Sequence, residues 1–223
     1  MKKSLVILGL VSLIALVSCG NKTGSEENVT NKVDSGKDNF SIDISEIDED
    51  KIQFSSGNMD MNVYNPSIEE LSEHSDVIFK GKLTDIDSYL DDWEMKSNYT
   101  FEIDEYYKGD VEGAEFTINT LGGIMKEKDY KELISKVMDI DEEEWEPGED
   151  MYVACGYQGF PPLDLNSEYV IYAAYNKDKD NYYPTYYFYG IYKNIGNNEF
   201  ERFGLDETDT HIKKLEELKE SIK

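Results

Sequence analysis

Tyr99, Phe101 and Ile103 alternate with Thr100, Glu102 and Asp104, the period-two pattern of a strand with one buried face. Lys108-Gly109-Asp110 breaks the alternation where a chain would reverse. Phe116-Thr-Ile-Asn-Thr120 resumes it and stops at Gly122-Gly123. Upstream, Ser75-Asp-Val-Ile-Phe-Lys-Gly-Lys-Leu-Thr84 reads as another strand, in which Val77, Phe79 and Leu83 share a face with Gly81. Ile86 falls out of phase with them, so a bend or bulge is expected there. These three strands predict a β-meander nucleus, with Phe101 and Ile103 in one core with Val77, Phe79, Ile118 and Ile171.

Around this nucleus the pattern changes several times. Phe40, Ile42 and Ile44 alternate with polar residues, and Ile52 and Phe54 follow an acidic turn, which predicts a strand or hairpin docked on the main domain. Asn65-Pro66-Ser67 starts a short helix in one of two ways. Asn65 is the N-cap with Pro66 at the first helical position, or Ser67 and Glu70 form a capping box. Tyr130, Leu133, Ile134 and Val137 recur at helical spacing inside an insertion spanning 124–150. Further strands are expected at 151–154, 168–175, 186–192 and 199–203, with Gly/Pro-rich 156–162 irregular. A terminal helix over 207–223 would be capped by Thr208 or Asp209 and carry Ile212, Leu215, Leu218 and Ile222 on its apolar seam.

The N-terminus changes the address. Met1-Lys-Lys precedes an apolar run over residues 5–17, too short for a comfortable bilayer span, which ends in Leu16-Val17-Ser18-Cys19-Gly20. This resembles the lipobox of bacterial lipoproteins. The resemblance implies removal of a signal peptide, 1–18, and a lipid (diacylglycerol, palmitate) on Cys19. The protein would be lipid-anchored on the extracytoplasmic face of the cell membrane. Residues 19–39 are polar and read as a flexible tether, and 40–64 as a partly ordered leader.

Helix, bent strand, strand, Lys-Gly-Asp turn, strand, Gly-Gly, insertion, strand, hairpin and helix follow in that order. The set resembles the netrin-like module, the OB-type barrel of tissue inhibitors of metalloproteinases. The residues that carry the likeness are Ser75-Asp76-Val77-Ile78 with Gly81, Tyr99-Thr-Phe-Glu-Ile103, Tyr107-Lys-Gly109 and Glu168-Tyr-Val-Ile171. The expected class is mainly β with flanking helices (α+β): a barrel over 65–206, then the C-terminal helix. The family's disulfides are absent and the 124–150 insertion is longer and more acidic than its usual connection. Its zinc-directed inhibition does not transfer. That activity uses a free N-terminal cysteine beside the barrel, whereas Cys19 would be acylated at the end of a roughly forty-residue leader.

Charge and composition narrow the function. Lys and Arg number 22 against 48 Asp and Glu, a formal charge of −26, which argues against nucleic acid because phosphate binding needs clustered cations. With Cys19 lipidated, Cys155 is the only thiol, so neither a disulfide framework nor a paired-cysteine metal site is available. Cys155 sits in an apolar context and reads as an inert core thiol. No Gly-x-Ser-x-Gly elbow, phosphate loop or His-Glu-x-x-His occurs, and no catalysis, metal or cofactor is expected. The two histidines, His74 and His211, lie in stretches read as helical. Asn176, Asp178 and Asp180 begin like a calcium loop, but Asn181 stands where its glycine belongs and Tyr187 where its glutamate belongs.

Two binding readings remain. The segment 139–162 combines acids, including Glu142, Glu143 and Glu144, with Trp145 and Phe160. It would engage a basic extracellular protein by charge and an aromatic anchor. Alternatively, Tyr183, Tyr187 and Tyr189, from a tyrosine-rich stretch, would bind a glycan or small ligand, and the acidic 139–150 run would bind a divalent ion weakly by charge alone. A non-catalytic protein-binding or modulatory lipoprotein is the leading expectation. Plain burial of the tyrosines against neighbouring strands is the competing account.

Overall fold

The computed structural model describes residues 47–57, 65–91, 94–109, 111–138, 146–157, 162–202 and 211–222, all within the compact unit Asn39–Lys223. It is mainly β, with short helices on the flanks. Two 15-residue strands dominate it: β2 (Val77–Asp91) and β3 (Glu94–Lys108) pair antiparallel along their whole length. Three register shifts interrupt β2, around Ile78/Phe79, Lys80/Gly81 and Leu83/Asp85, so the irregularity expected from Gly81 and the phase slip before Ile86 takes the form of bulges. β4 (Glu115–Leu121) pairs with the other edge of β3.

β7 (Glu168–Asn176) takes the free edge of β2. It then pairs with β9 (Ile191–Gly196) through 169–171 and with β8 (Asn181–Pro184) through 173–176. β10 (Glu199–Arg202) and β11 (His211–Lys214) extend the sheet, giving the order β11-β10-β9-β7-β2-β3-β4 with β8 on β7. This hydrogen-bonded path is open. A separate three-stranded sheet joins β1 (Ile52–Gly57), β6 (Tyr152–Tyr157) and β5 (Gly123–Lys126) in the order β1-β6-β5, with β1 and β6 parallel.

Alternation along the long strands divides the main sheet into two apolar faces. One face carries Val77, Phe79, Leu83, Phe101, Phe116, Ile118 and Ile171, all buried. Ile103 is half-buried against them, so the core read from the alternation is the one that forms. The other face places Ile78, Val170, Tyr172, Tyr192 and Phe200 against Leu71 of α1 (Ile68–His74) and Leu218 of α3 (Leu215–Glu220). A third cluster joins Met95, Met125 and Val153 beneath Tyr130 and Leu133 of α2 (Glu127–Met138).

α1 starts by the second of the two routes. Ser67 is the N-cap and forms a full capping box with Glu70, its Oγ accepting from Glu70 N at 3.2 Å. Asn65 stays outside the helix, its Oδ1 accepting from the buried Arg202 guanidinium at 2.6 Å, which also donates to Pro66 O at 2.9 Å.

Three expectations need correction. Residues 186–192 are not one strand: Tyr187–Gly190 is a 3₁₀ turn and β9 begins only at Ile191. The chain folds back here onto β7. A β-carbon on Gly190 would lie 2.5 Å from Tyr172 O and 2.8 Å from Thr185 N, so only glycine fits. The insertion is not an interruption from its start, because residues 124–126 belong to β5, paired with β6. The terminal helix is only Leu215–Glu220. Residues 211–214 are drawn instead into β11 by the edge of β10, leaving Ile212 exposed rather than on the seam and His211 in a strand. The leader contributes β1 to the small sheet, the strand being one of the two forms expected of it; residues 40–46 and 58–64 lie outside the described residues.

Candidate functional site

The β7–β8 hairpin builds one wall of an open cleft of about 730 Å³. At the hairpin tip, Asn176 Oδ1 accepts from the backbone N–H of Asp178 at 3.0 Å and of Lys179 at 3.2 Å. The Tyr175 hydroxyl donates to Asp180. The side chains of Asn176 and Asp180, which began like calcium ligands, are therefore engaged within the hairpin.

Past β8 the chain is pinned and then strained. Thr185 is buried; its N–H donates to Tyr172 O at 2.8 Å, and its hydroxyl shares a 2.7 Å hydrogen bond with Ser75 Oγ. Ser75 Oγ lies 2.6 Å from Leu71 O, to which it donates. Tyr186 and Tyr187 then take left-handed conformations, with φ of 51° and 59°. Bulky residues rarely adopt this region, and strain of this kind persists only where the surroundings fix it. The His74 ring meets Tyr186 edge-on, centroids 5.5 Å apart.

The strain divides the tyrosines between inside and outside. Tyr187 is 45% exposed and Tyr183 39% exposed, and both line the cleft. Tyr189 is 4% exposed, with the Arg202 guanidinium 5.3 Å from its ring centroid. Tyr189 is therefore a core residue and not a ligand-binding aromatic. The 3₁₀ turn that replaces the expected strand points it inward.

The opposite wall comes from the paired ends of β3 and β4, with Glu94, Lys96, Asn119 and Leu121 on the cleft. Lys96 Nζ contacts Asp91 Oδ2 at 2.5 Å and Glu94 Oε2 at 3.3 Å, and Lys179 Nζ lies 3.9 Å from Asp91. Burial pulls the Lys96 ammonium down, but Asp91 and Glu94 outweigh it and leave its pKa raised. The hydrogen bond from Lys96 holds the Asp91 carboxyl below its ordinary value. Asn119 Nδ2 donates to Tyr89 Oη at 2.7 Å and to Asn98 Oδ1 at 2.9 Å. Cations and carboxylates on this wall thus neutralise one another.

Sequence reading found Tyr183 and Tyr187 but missed His74, Lys96, Asn119 and Asn181. The signal that could have found Asn119 is the strand register, which sets Asn98 opposite Asn119. Cys19, Glu142, Glu143, Glu144, Trp145 and Phe160 lie outside the described residues. Cys155 is half-buried in β6, and burial pushes its thiol up to about 11. It is protonated at neutral pH and a poor nucleophile. Among the described residues no group of His, Cys, Asp and Glu could hold a metal ion, and no helix is long and apolar enough to cross a membrane.

Comparison with protein-family models, with curated proteins and with solved structures finds no match to this chain.

Proposed function

We propose that this chain is a lipid-anchored, extracytoplasmic, non-catalytic binding protein whose binding site is the tyrosine-lined cleft. The observation that carries the reading is the pair Tyr183 and Tyr187, presented to solvent beside a cleft on backbone that includes left-handed tyrosines. Exposed tyrosines supply large contact area at low ordering cost. A binding role suits the charges, since Lys96, Asp91 and Glu94 are engaged with one another rather than held ready for proton transfer. The Leu16-Val17-Ser18-Cys19 motif supports the anchor at Cys19.

The folded part is, on this reading, an OB-type barrel of netrin-like kind. Strands β4, β3, β2, β7 and β8 enclose the main core, and β8 comes beside β4 without pairing. The Phe116 and Tyr182 rings pack across that seam with centroids 4.8 Å apart. Helix α2 falls between β4 and β7. These features support closure by side chains where backbone pairing is missing.

A photo-crosslinking amino acid placed at position 187 in living cells tests the cleft. It should yield an adduct with an envelope component, whereas the same residue at Ile195, exposed but not on the cleft, should not. Adducts from position 145 with none from 187 would move the site to the acidic segment and refute the cleft.

A further inference from the structure

Three properties of the cleft restrict what it can hold. Its cations are already matched: Lys96 contacts Asp91 and Glu94, and Lys179 faces Asp91. An anionic ligand would have to break those pairs and approach a chain of formal charge −26, against its field. Phosphates, polyanions and acidic sugars are therefore disfavoured. A purely apolar ligand fits no better, because the site is open and amides and charges make up much of its lining. Small-molecule sites that grip hydrophobic ligands are enclosed and mostly apolar.

The remaining groups have a different complementarity. Tyr183 and Tyr187 offer ring faces with a hydroxyl at the tip, combining apolar area with a polar handle. Beside them, the side chain of Asn181 makes no hydrogen bond among the described residues. Among the described residues Asn176 uses only its Oδ1, which leaves its amide N–H groups to donate. A ligand that satisfies both sets presents apolar C–H faces and a rim of uncharged hydroxyl or acetamido groups. Pyranose rings have that arrangement, and a volume of about 730 Å³ lies within the range of ligand sites.

We infer that the cleft binds a neutral oligosaccharide, with sugar rings stacked on Tyr187 and Tyr183 and hydroxyls held by Asn181 and Asn176. This rests on the cleft being the binding site. The strained backbone at Tyr186 and Tyr187 then has a use, because it fixes a flat ring before the ligand arrives and lowers the ordering cost of binding.

The test is calorimetric titration of the full lipidated chain in detergent micelles. The probes are the N-acetylglucosamine hexamer, cellohexaose and maltohexaose, with a heparin hexasaccharide as the anionic control. At least one neutral hexamer should bind saturably, with affinity little changed between about 0.05 and 1 M NaCl, because no ion pair is formed. Tyr187→Asn, which tolerates left-handed backbone, and Asn181→Ala should each weaken it roughly tenfold, the scale of one good contact. Binding of heparin alone, or neutral binding unmoved by both variants, would overturn the inference. So would no hexamer binding at all. In that last case an adduct from position 187 would preserve the cleft as a binding site for another chemistry, and no adduct would remove both readings.

Discussion

At the scale of single residues, Tyr187 is where stability and the proposed binding role oppose each other. A left-handed β-carbon crowds the following carbonyl at a cost of about 1–2 kcal/mol, and Tyr187 is too exposed to recover much of that by burial. Tyr187→Asn should therefore raise the unfolding free energy by roughly 0.5–1 kcal/mol in urea titration while weakening ligand binding. A lower urea midpoint would show that the ring's packing outweighs the strain. Tyr99 acts differently. Its phenol is enclosed in the core, and burial, the largest cause, pushes it up to about 12. Burial also raises Tyr169 and Tyr172. Above pH 10 the unfolded chain releases phenolic protons that the folded state keeps, so stability present below that value is lost as pH rises towards 12. For Tyr99 alone the loss is on the order of 3 kcal/mol. Urea midpoints should fall steeply between roughly pH 10 and 12, and Tyr99→Phe should flatten the fall. Identical slopes for the variant and the parent protein would count against this assignment.

At the scale of elements, the junction between β4 and β5 is the point most sensitive to change. Gly122 and Gly123, at φ of 88° and 149°, carry the chain from the main sheet into the small one. Ser97 Oγ donates to Gly122 O at 2.9 Å, Ser88 and Ser97 hydroxyls lie 2.8 Å apart, and Ile124 N donates to Ser88 Oγ at 3.1 Å. A β-carbon on Gly123 would sit 2.5 Å from Ser88 Oγ and closer still to Ser97 Oγ. Gly123→Ala must displace both serines, and should destabilise the fold by roughly 1–3 kcal/mol, as overpacking generally does. A thermal melt identical to that of the parent protein would show that the two sheets do not depend on this contact. The glycine pair was legible as a strand end. Its role as a switch between sheets was not, because the serines that enclose it come from strands about 25 to 35 residues earlier.

At the scale of the whole molecule, an acidic domain and a lipid have opposite affinities for a membrane. The formal charge of −26 repels anionic headgroups, so on the proposed reading membrane attachment would fall to a lipid on Cys19. Cys19→Ser should abolish fatty-acid labelling and release the protein from the membrane fraction. It should leave the urea midpoint of the folded part unchanged. A variant that still labels and still fractionates with membranes would refute the lipobox assignment.

Local sequence determined what depends on neighbouring residues. The alternation over 99–104 and 116–120 set strands and their buried faces, since a strand's side chains turn over every second residue. The Ser67 and Glu70 capping box was readable because its bonds span three residues. Long-range contacts decided the rest. Asn65, left outside the helix, is engaged by Arg202, 137 residues away in the chain. Tyrosines with strand propensity at 186–190 became a tight turn because Thr185 and Gly190 pack against Tyr172. A helical pattern at 211–214 was overridden by the open edge of β10. The cleft belongs to this second group: it joins α1, the ends of β3 and β4, and the β7–β8 hairpin. Periodicity records energies between near neighbours, whereas a site formed from four distant segments exists only once the sheet has brought them together.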